Sequence, residues 1–305
     1  MDTNSNSTLH TQKLLTEEFN RHHKIVKVKN YISLACLLTC LLTLVLILFL
    51  PVFYVGNIKI SNNYYLTSND IFSLAKLDKN KHNLFLDCSS SENELITSSN
   101  DILESCSFTS NGLVSSLTVK ESFPVCIVKD ETYFSNGLTK SKVYENISSL
   151  DLETSDIQLI KSKYDVSCSS SLINIHESSN ITFNSEKASE ASKLFKNCAS
   201  ECFEYIVGVS FVNNNNDSNY INVAKALIEY NSKYYLLNNL LSVNFDKYFA
   251  KDSFINTLLP ALDEGSKSIQ TSEFKFDDEE KEYSVYSLKV SYNNSSNKIY
   301  ITEYK

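Results

Sequence analysis

Residues 32–55 read ISLACLLTCLLTLVLILFLPVFYV, 24 residues without a charge, and a helical run of that length crosses a hydrocarbon core of ~30 Å. No other stretch of the chain approaches it, so it decides the class of protein before any other feature does. The flank before it carries Arg21, Lys24, Lys27 and Lys29, whereas after it only Lys59 appears before Lys76. The positive-inside rule then places the N-terminus in the cytoplasm and most of the chain outside. A cleaved signal peptide is the rival reading, but its apolar core is ~7–15 residues long and ends at a small-residue cleavage site. This run ends in the bulky Pro51-Val52-Phe53-Tyr54-Val55. The expected layout is a cytoplasmic tail over residues 1–30 and a transmembrane helix over residues 31–55. Pro51 sits near the outer end, where the loss of one helical hydrogen bond costs little. Cys36 and Cys40 lie one turn apart inside the span and read as small packing residues, with lipidation as the alternative.

Charge sets the next limit. The formal net charge is −8, yet residues 1–30 carry +2 and leave −10 for the remainder. So acidic a bulk argues against nucleic-acid binding, which needs a basic face to release counterions from phosphates. A length of 305 residues with 42% hydrophobic content is enough to bury one or two ordinary domains.

After the membrane segment, Val55, Ile58 and Ile60 alternate and then meet Ser61-Asn62-Asn63, a short strand and its exit. Thr67-Ser68-Asn69-Asp70 has the spacing of a capping box at a helix start, and Ile71, Leu74, Ala75 and Leu77 supply the apolar face of that helix. Asn83-Leu84-Phe85-Leu86-Asp87 reads as a strand-like or loop segment. Leu95, Ile96, Ser99, Ile102 and Leu103 are spaced for a second helix. Residues 106–110 and 113–119 read as two strands joined by Asn111-Gly112, a pair suited to a type I′ hairpin because both residues tolerate positive φ. The order is strand, helix, helix, strand, strand.

These residues resemble the bacterial division proteins of the FtsQ/DivIB family. The family's I-x-V-x-G-N strand and turn is similar to Ile58-Lys59-Ile60-Ser61-Asn62-Asn63, and its N-[LI]-F-x-[LD] segment to Asn83-Leu84-Phe85-Leu86-Asp87. The closing motif V-x-E-x-x-P-[VI]-A resembles Val119-Lys120-Glu121-Ser122-Phe123-Pro124-Val125-Cys126, with Cys126 in place of the last alanine. A tyrosine-rich turn follows at Tyr133-Phe134-Ser135-Asn136-Gly137. The resemblance implies an α+β chain: one transmembrane helix, a POTRA domain (β-α-α-β-β) over residues 56–129, and a mixed β-domain with helices over residues 130–305.

In the second module, residues 157–159 form a short apolar patch and residues 172–175 a strand. Residues 185–203 predict an amphipathic helix with Ala188, Ala191, Leu194, Phe195, Cys198 and Cys202 on one face. Residues 205–212 read as a strand, and residues 226–230 and 234–237 as a hairpin around Asn231-Ser232-Lys233. Asp252 is placed as the cap of a helix over residues 254–262. Residues 283–292 and 299–304 pair around a turn at 293–297. The acidic run at 271–281 reads as a solvated loop, since it lacks the ligand spacing of a calcium loop.

No catalytic constellation emerges. Ser73-Leu74-Ala75-Lys76 spells the S-x-x-K of penicillin-binding enzymes, but no K-T-G accompanies it. The single arginine, Arg21, lies before the span, so a sortase-like cysteine site lacks its cation. His82 and His176 are read as surface or loop residues, and no Cys/His cluster has zinc spacing. Cys88, Cys106, Cys126, Cys168, Cys198 and Cys202 leave disulfides and buried thiols both open, with Cys198 and Cys202 assigned to core filling. The chain is therefore expected to be no enzyme, to need no cofactor and to bind no metal.

What the resemblance implies is a scaffold at the division septum of the cell membrane, holding FtsL-like and FtsB/DivIC-like membrane partners and other divisome proteins upstream of peptidoglycan synthesis. A POTRA-bearing protein of another envelope assembly or transport complex, or an envelope sensor, is the alternative. Such scaffolds work by offering a sheet edge to a partner strand. The candidate edge is Tyr283, Val285, Tyr286, Leu288, Val290 and Tyr292, against which stands an ordinary core strand; Ile58 and Ile60 form a second candidate.

Overall fold

The computed structural model describes residues 4–110, 114–169, 172–178, 183–212, 223–296 and 298–303. The expected Asn111-Gly112 turn lies outside them. The chain is a mixed α+β protein in which one long N-terminal helix precedes a sheet-rich remainder. Contacts divide it into two compact units, the first holding Met1–Ile58 and Asp78–Leu86, the second the bulk of the residues from Lys59 onward.

Helix α1 runs without a break over Asn4–Leu48, and its apolar part is long enough to cross a membrane. It is shorter at its end than the apolar run predicts. Residues 51–53 and 55–57 form two 3-10 turns, because the residue before Pro51 is pushed to extended backbone and Leu50 has ψ 138°. Val55, assigned to the membrane helix by its side chain alone, is buried instead. Its amide donates to Lys81 O at 2.8 Å, and Tyr54 makes an isolated bridge with His82.

The second unit starts with β1 (Lys59–Ser61), α2 (Ser68–Leu74), α3 (Cys88–Ser98), β2 (Leu103–Ser110) and β3 (Ser115–Glu121). Among the described residues these strands form a three-stranded sheet in the order β1-β3-β2, with β1 parallel to β3 through Lys59↔Ser116 and Ile60↔Leu117. The capping box forms at the start of α2. The Asp70 carboxylate accepts from the Thr67 amide at 2.6 Å, and Thr67 Oγ1 accepts from the Asp70 amide at 3.2 Å. Helix α3 begins at its cap Asp87 and ends at Ser98, so Ile102 and Leu103 are not helical as their spacing predicts. Along β3 the period of two buries Leu117, Val119 and Glu121 and turns Thr118 and Lys120 to the other face.

The large sheet contains β4 (Pro124–Val128), β5 (Glu131–Phe134), β6 (Ile173–His176), β7 (Ile206–Val212), β8 (Val223–Tyr230), β9 (Lys233–Leu241), β10 (Ser272–Phe274), β11 (Tyr283–Asn293) and β12 (Lys298–Glu303). Among the described residues its order is β10-β11-β9-β8-β7-β6-β4-β5, with β12 also on β11. Strand β4 thus belongs to the large sheet, since it pairs with β5 and β6.

Helices α4 (Lys140–Ser148), α5 (Thr154–Cys168) and α6 (Ser185–Leu194) follow β5 and β6. Where the sequence reads only an apolar patch at 157–159, α5 extends over 15 residues and buries Ile160 and Tyr164. The predicted helix over 185–203 is broken: α6 runs on into a 3-10 turn at Phe195–Asn197, and Cys198, with ψ 147°, separates that turn from a second 3-10 helix at Ser200–Tyr205. Cys198 and Cys202 are buried all the same, and Cys202 Sγ donates to Phe249 O at 3.3 Å. No disulfide joins any of the eight cysteines. Burial pushes the Cys106 thiol up to about 11 and the Cys202 thiol up to about 12.

After β9 come α7 (Phe245–Tyr248) and α8 (Lys251–Ser253), which continues through a π turn at Phe254–Leu258 into α9 (Leu259–Gly265). Pro260 lies in the first turn of α9, where its missing amide is tolerated. Asp252 is not the cap, for Ala250 holds that position without a side-chain bond. The main core gathers Leu288 and Val290 with Phe245, Tyr248, Phe254 and Leu262 on one face of the sheet.

Candidate partner-binding edges

Strand β11 is interior. On one side it pairs in parallel with β9, Val285↔Tyr234 through Lys289↔Asn238. On the other it pairs with β10 over Tyr283 to Val285 and with β12 over Leu288 to Asn293. Tyr283, Val285, Tyr286, Leu288, Val290 and Tyr292 therefore form no free edge strand, since each of them is paired on at least one side. Their side chains follow the strand period. Leu288 and Val290 are buried in the main core, while Val285 and Tyr283 pack on the opposite face with Leu227, Leu236 and Phe276. Tyr286 lies 5.7 Å from the Tyr235 ring, and Tyr292 meets Tyr248 edge-on at 6.2 Å.

The edge belongs to β12. Among the described residues it pairs only with β11, in the register Val290↔Ile301 and Tyr292↔Ile299. Ile299 and Ile301 pack against the core, whereas Lys298, Tyr300 and Thr302 are exposed. A cleft of about 420 Å³ runs beside it, lined by Leu258, Ala261, Ile269, Leu288, Ile299 and Ile301 among others. The strand lacks proline, one of the features by which sheets blunt their edges. Its alternating β-branched residues were legible in sequence; its position at the rim was not, because that depends on which strands cover β11.

The second candidate divides. Ile60 lies in β1, which pairs only with β3 among the described residues and is an edge of the small sheet. Ile58 precedes the strand, is buried, and donates its amide to Val55 O at 3.0 Å.

The two modules of the second unit meet through polar and aromatic contacts. Glu121, fourth residue before Val125 in the closing motif, accepts from the amides of Tyr64, Tyr65 and Leu66 at 2.9, 2.7 and 2.9 Å. Burial pushes its carboxyl up, and the three amides pull it back. Tyr65 stacks on Tyr164, whose hydroxyl donates to Ser122 O at 3.3 Å. The buried Glu104 side chain lies 3.3 Å from Lys120 Nζ and 3.4 Å from Lys196 Nζ. Beside this joint lies a groove of about 1170 Å³.

His176 is not a surface residue. Buried on β6, it stacks on Phe276 at 3.8 Å, and its Nδ1 is 2.9 Å from Asp278 Oδ1. Glu279 Oε1 stands 3.6 Å from Nε2. The acidic segment is thus docked on the sheet by Phe276 and Asp278, not solvated throughout. Gly208 makes room for this, since a Cβ there would come within 2.7 Å of the imidazole. His82 packs near Phe53, Tyr54 and Phe85. Among the described residues no group of three or more His, Cys, Asp and Glu side chains is placed to hold a metal ion.

No protein-family model matches the chain, and no curated protein matches it.

Proposed function

We propose that this chain is a membrane-anchored docking platform of the FtsQ/DivIB kind, which holds single-pass partners of the FtsL and FtsB/DivIC types at the division septum. The observation that carries the reading is that β12, at the rim of the large sheet, pairs only with β11 among the described residues. A partner strand added there gains backbone hydrogen bonds along its length, while the exposed Tyr300 and the adjoining cleft select its side chains.

The POTRA assignment has its own support: the order strand, helix, helix, strand, strand over Lys59 to Glu121, and the β1-β3-β2 sheet with β1 parallel to β3. Glu121 gives the closing motif a physical role, fastening residues 64–66 to the end of β3. The basic flank of α1 favours a cytoplasmic N-terminus and an exterior sheet domain. The chain acts by binding, without a cofactor and without catalysis.

Tyr300→Glu combined with Thr302→Lys alters the β12 edge at exposed positions. The pair is expected to abolish co-purification of small single-pass membrane partners while circular dichroism stays unchanged. Retained co-purification overturns the edge assignment. Depletion of the protein is expected to yield filaments or enlarged cells; normal division overturns the septal role.

A further inference from the structure

The first compact unit carries a feature that the docking function does not use. Segment 78–86 runs beside the exit of α1: Gly56 N donates to Lys79 O at 2.9 Å and Val55 N to Lys81 O at 2.8 Å. Gly56 allows this approach, because a Cβ there would lie 3.0 Å from Lys79 O. The segment then turns over His82. Leu84 N donates to His82 Nδ1 at 3.1 Å, and Phe85 N to His82 O at 3.0 Å. The turn leaves Leu84 54% and Phe85 67% exposed. Beyond residue 50, Phe85 is the only phenylalanine among the described residues with so large an exposure.

These side chains are not scattered. Phe53 and His82 have ring centroids 6.0 Å apart, and His82 and Phe85 6.2 Å, so an aromatic row links the chain just past α1 to the turn. Phe49, Leu50 and Val52, also exposed, lie between the helix end and that row. From Tyr31 to Leu48 the helix has 18 uncharged residues, a rise of ~27 Å, close to the ~30 Å of a hydrocarbon core. Phe49 to Phe53 consequently sit at the boundary of the bilayer, and the turn, whose His82 ring meets Phe53, sits there too. Lys79 and Lys81 lie just before the turn, and basic residues beside exposed apolar and aromatic ones are the composition of an interfacial lipid contact.

We propose that Leu84 and Phe85 form a second membrane contact, a small patch that enters the headgroup layer where α1 leaves the bilayer. Lys79 and Lys81 give it a preference for anionic lipid. The proposal rests on reading α1 as a bilayer-spanning helix.

The chain has no tryptophan, so F85W and L41W, each made alone in the full-length chain, carry one emitter apiece. Each is reconstituted in vesicles of phosphatidylcholine and phosphatidylglycerol containing lipids brominated at shallow or deep acyl positions. L41W reports the span and is expected to lose most emission to deep bromines. F85W is expected to emit at blue-shifted wavelength and to be quenched most by bromines about 5–10 Å inside the headgroup boundary. Deep quenching of L41W beside solvent-like, unquenched F85W emission overturns the lipid patch and leaves the span standing. An unquenched L41W overturns the span, and the patch with it.

Discussion

Tyr65 lies on Tyr164 with ring centroids 3.8 Å apart and planes 22° from parallel. The pair joins the loop after β1 to the middle of α5, and Lys163 Nζ donates to Tyr65 O at 3.2 Å beside it. Because Tyr164 also meets Phe134 edge-on at 5.1 Å, one ring ties the small sheet, α5 and the large sheet together. Tyr164→Ala is expected to lower stability by about 3–5 kcal/mol. Tyr65→Phe, which loses only the hydroxyl bond to Ser167, should cost about 1 kcal/mol. Urea denaturation of both variants checks this, and a single transition in the parent agrees with one cooperative unit.

Leu288 and Tyr300 separate core from edge. Leu288 is 1% exposed, so Leu288→Asp buries an unpaired carboxylate and is expected to destabilise the sheet domain by about 4 kcal/mol or more. Tyr300→Glu falls on an exposed position of β12 and should change stability by about 0.5 kcal/mol or less. Thermal melts of the two variants give the comparison, and equal losses would mean that β12 is covered.

Acid should weaken the fold through its ion pairs. Lys140, and then the Tyr144 hydroxyl, hold the Asp165 carboxyl below its ordinary value, and Lys129 does the same for Glu177. In the unfolded chain these groups take up protons near pH ~3.9 and ~4.3. Their stabilisation is therefore complete above those values and is lost as pH falls through the lowered ones. The pairs are well exposed, so each contributes little. Glu121, pushed up by burial, has the opposite sign: its contribution is full below ~4.3 and fades as pH rises through its folded value. Asp165→Asn is expected to flatten the acid limb of midpoint against pH, and Glu121→Gln to steepen it. Urea midpoints across the acid range measure both slopes.

Gly208 is the seat of His176. A Cβ there would meet the imidazole at 2.7 Å and Phe276 at 3.1 Å, and neither ring can retreat, since they stack on each other. Gly208→Ala is expected to cost about 1–3 kcal/mol and to release the acidic segment that Asp278 pins to the ring. Faster proteolytic cleavage within residues 275–281 reports the release.

Local features were legible because neighbours along the chain enforce them. Thr67 and Asp70 satisfy each other's amides within one turn. Asn231 and Ser232 both adopt positive φ between β8 and β9, as a tight hairpin requires. The apolar residues of α5 do not fall on one face, and that hid the helix: Leu159 and Val166 are exposed, and only Ile160 and Tyr164 among its residues are buried. His176 read as a loop residue because its partners, Phe276 and Asp278, lie a hundred residues away.

By itself the sequence determined the uncharged run that makes a bilayer-length helix, the cap of α2 and the turn between β8 and β9. Each follows from the solvent preference or backbone limits of residues close in the chain. Only the tertiary structure decided that β4 joins the large sheet, that β11 lies inside it and that β12 forms its rim. Alternating apolar residues fix which face of a strand is buried, but backbone hydrogen bonds to distant strands fix who its neighbours are. The pattern over residues 283–292 was read as an edge for that reason, and the pairing of β9, β10 and β12 with it moved the open edge to Lys298–Glu303.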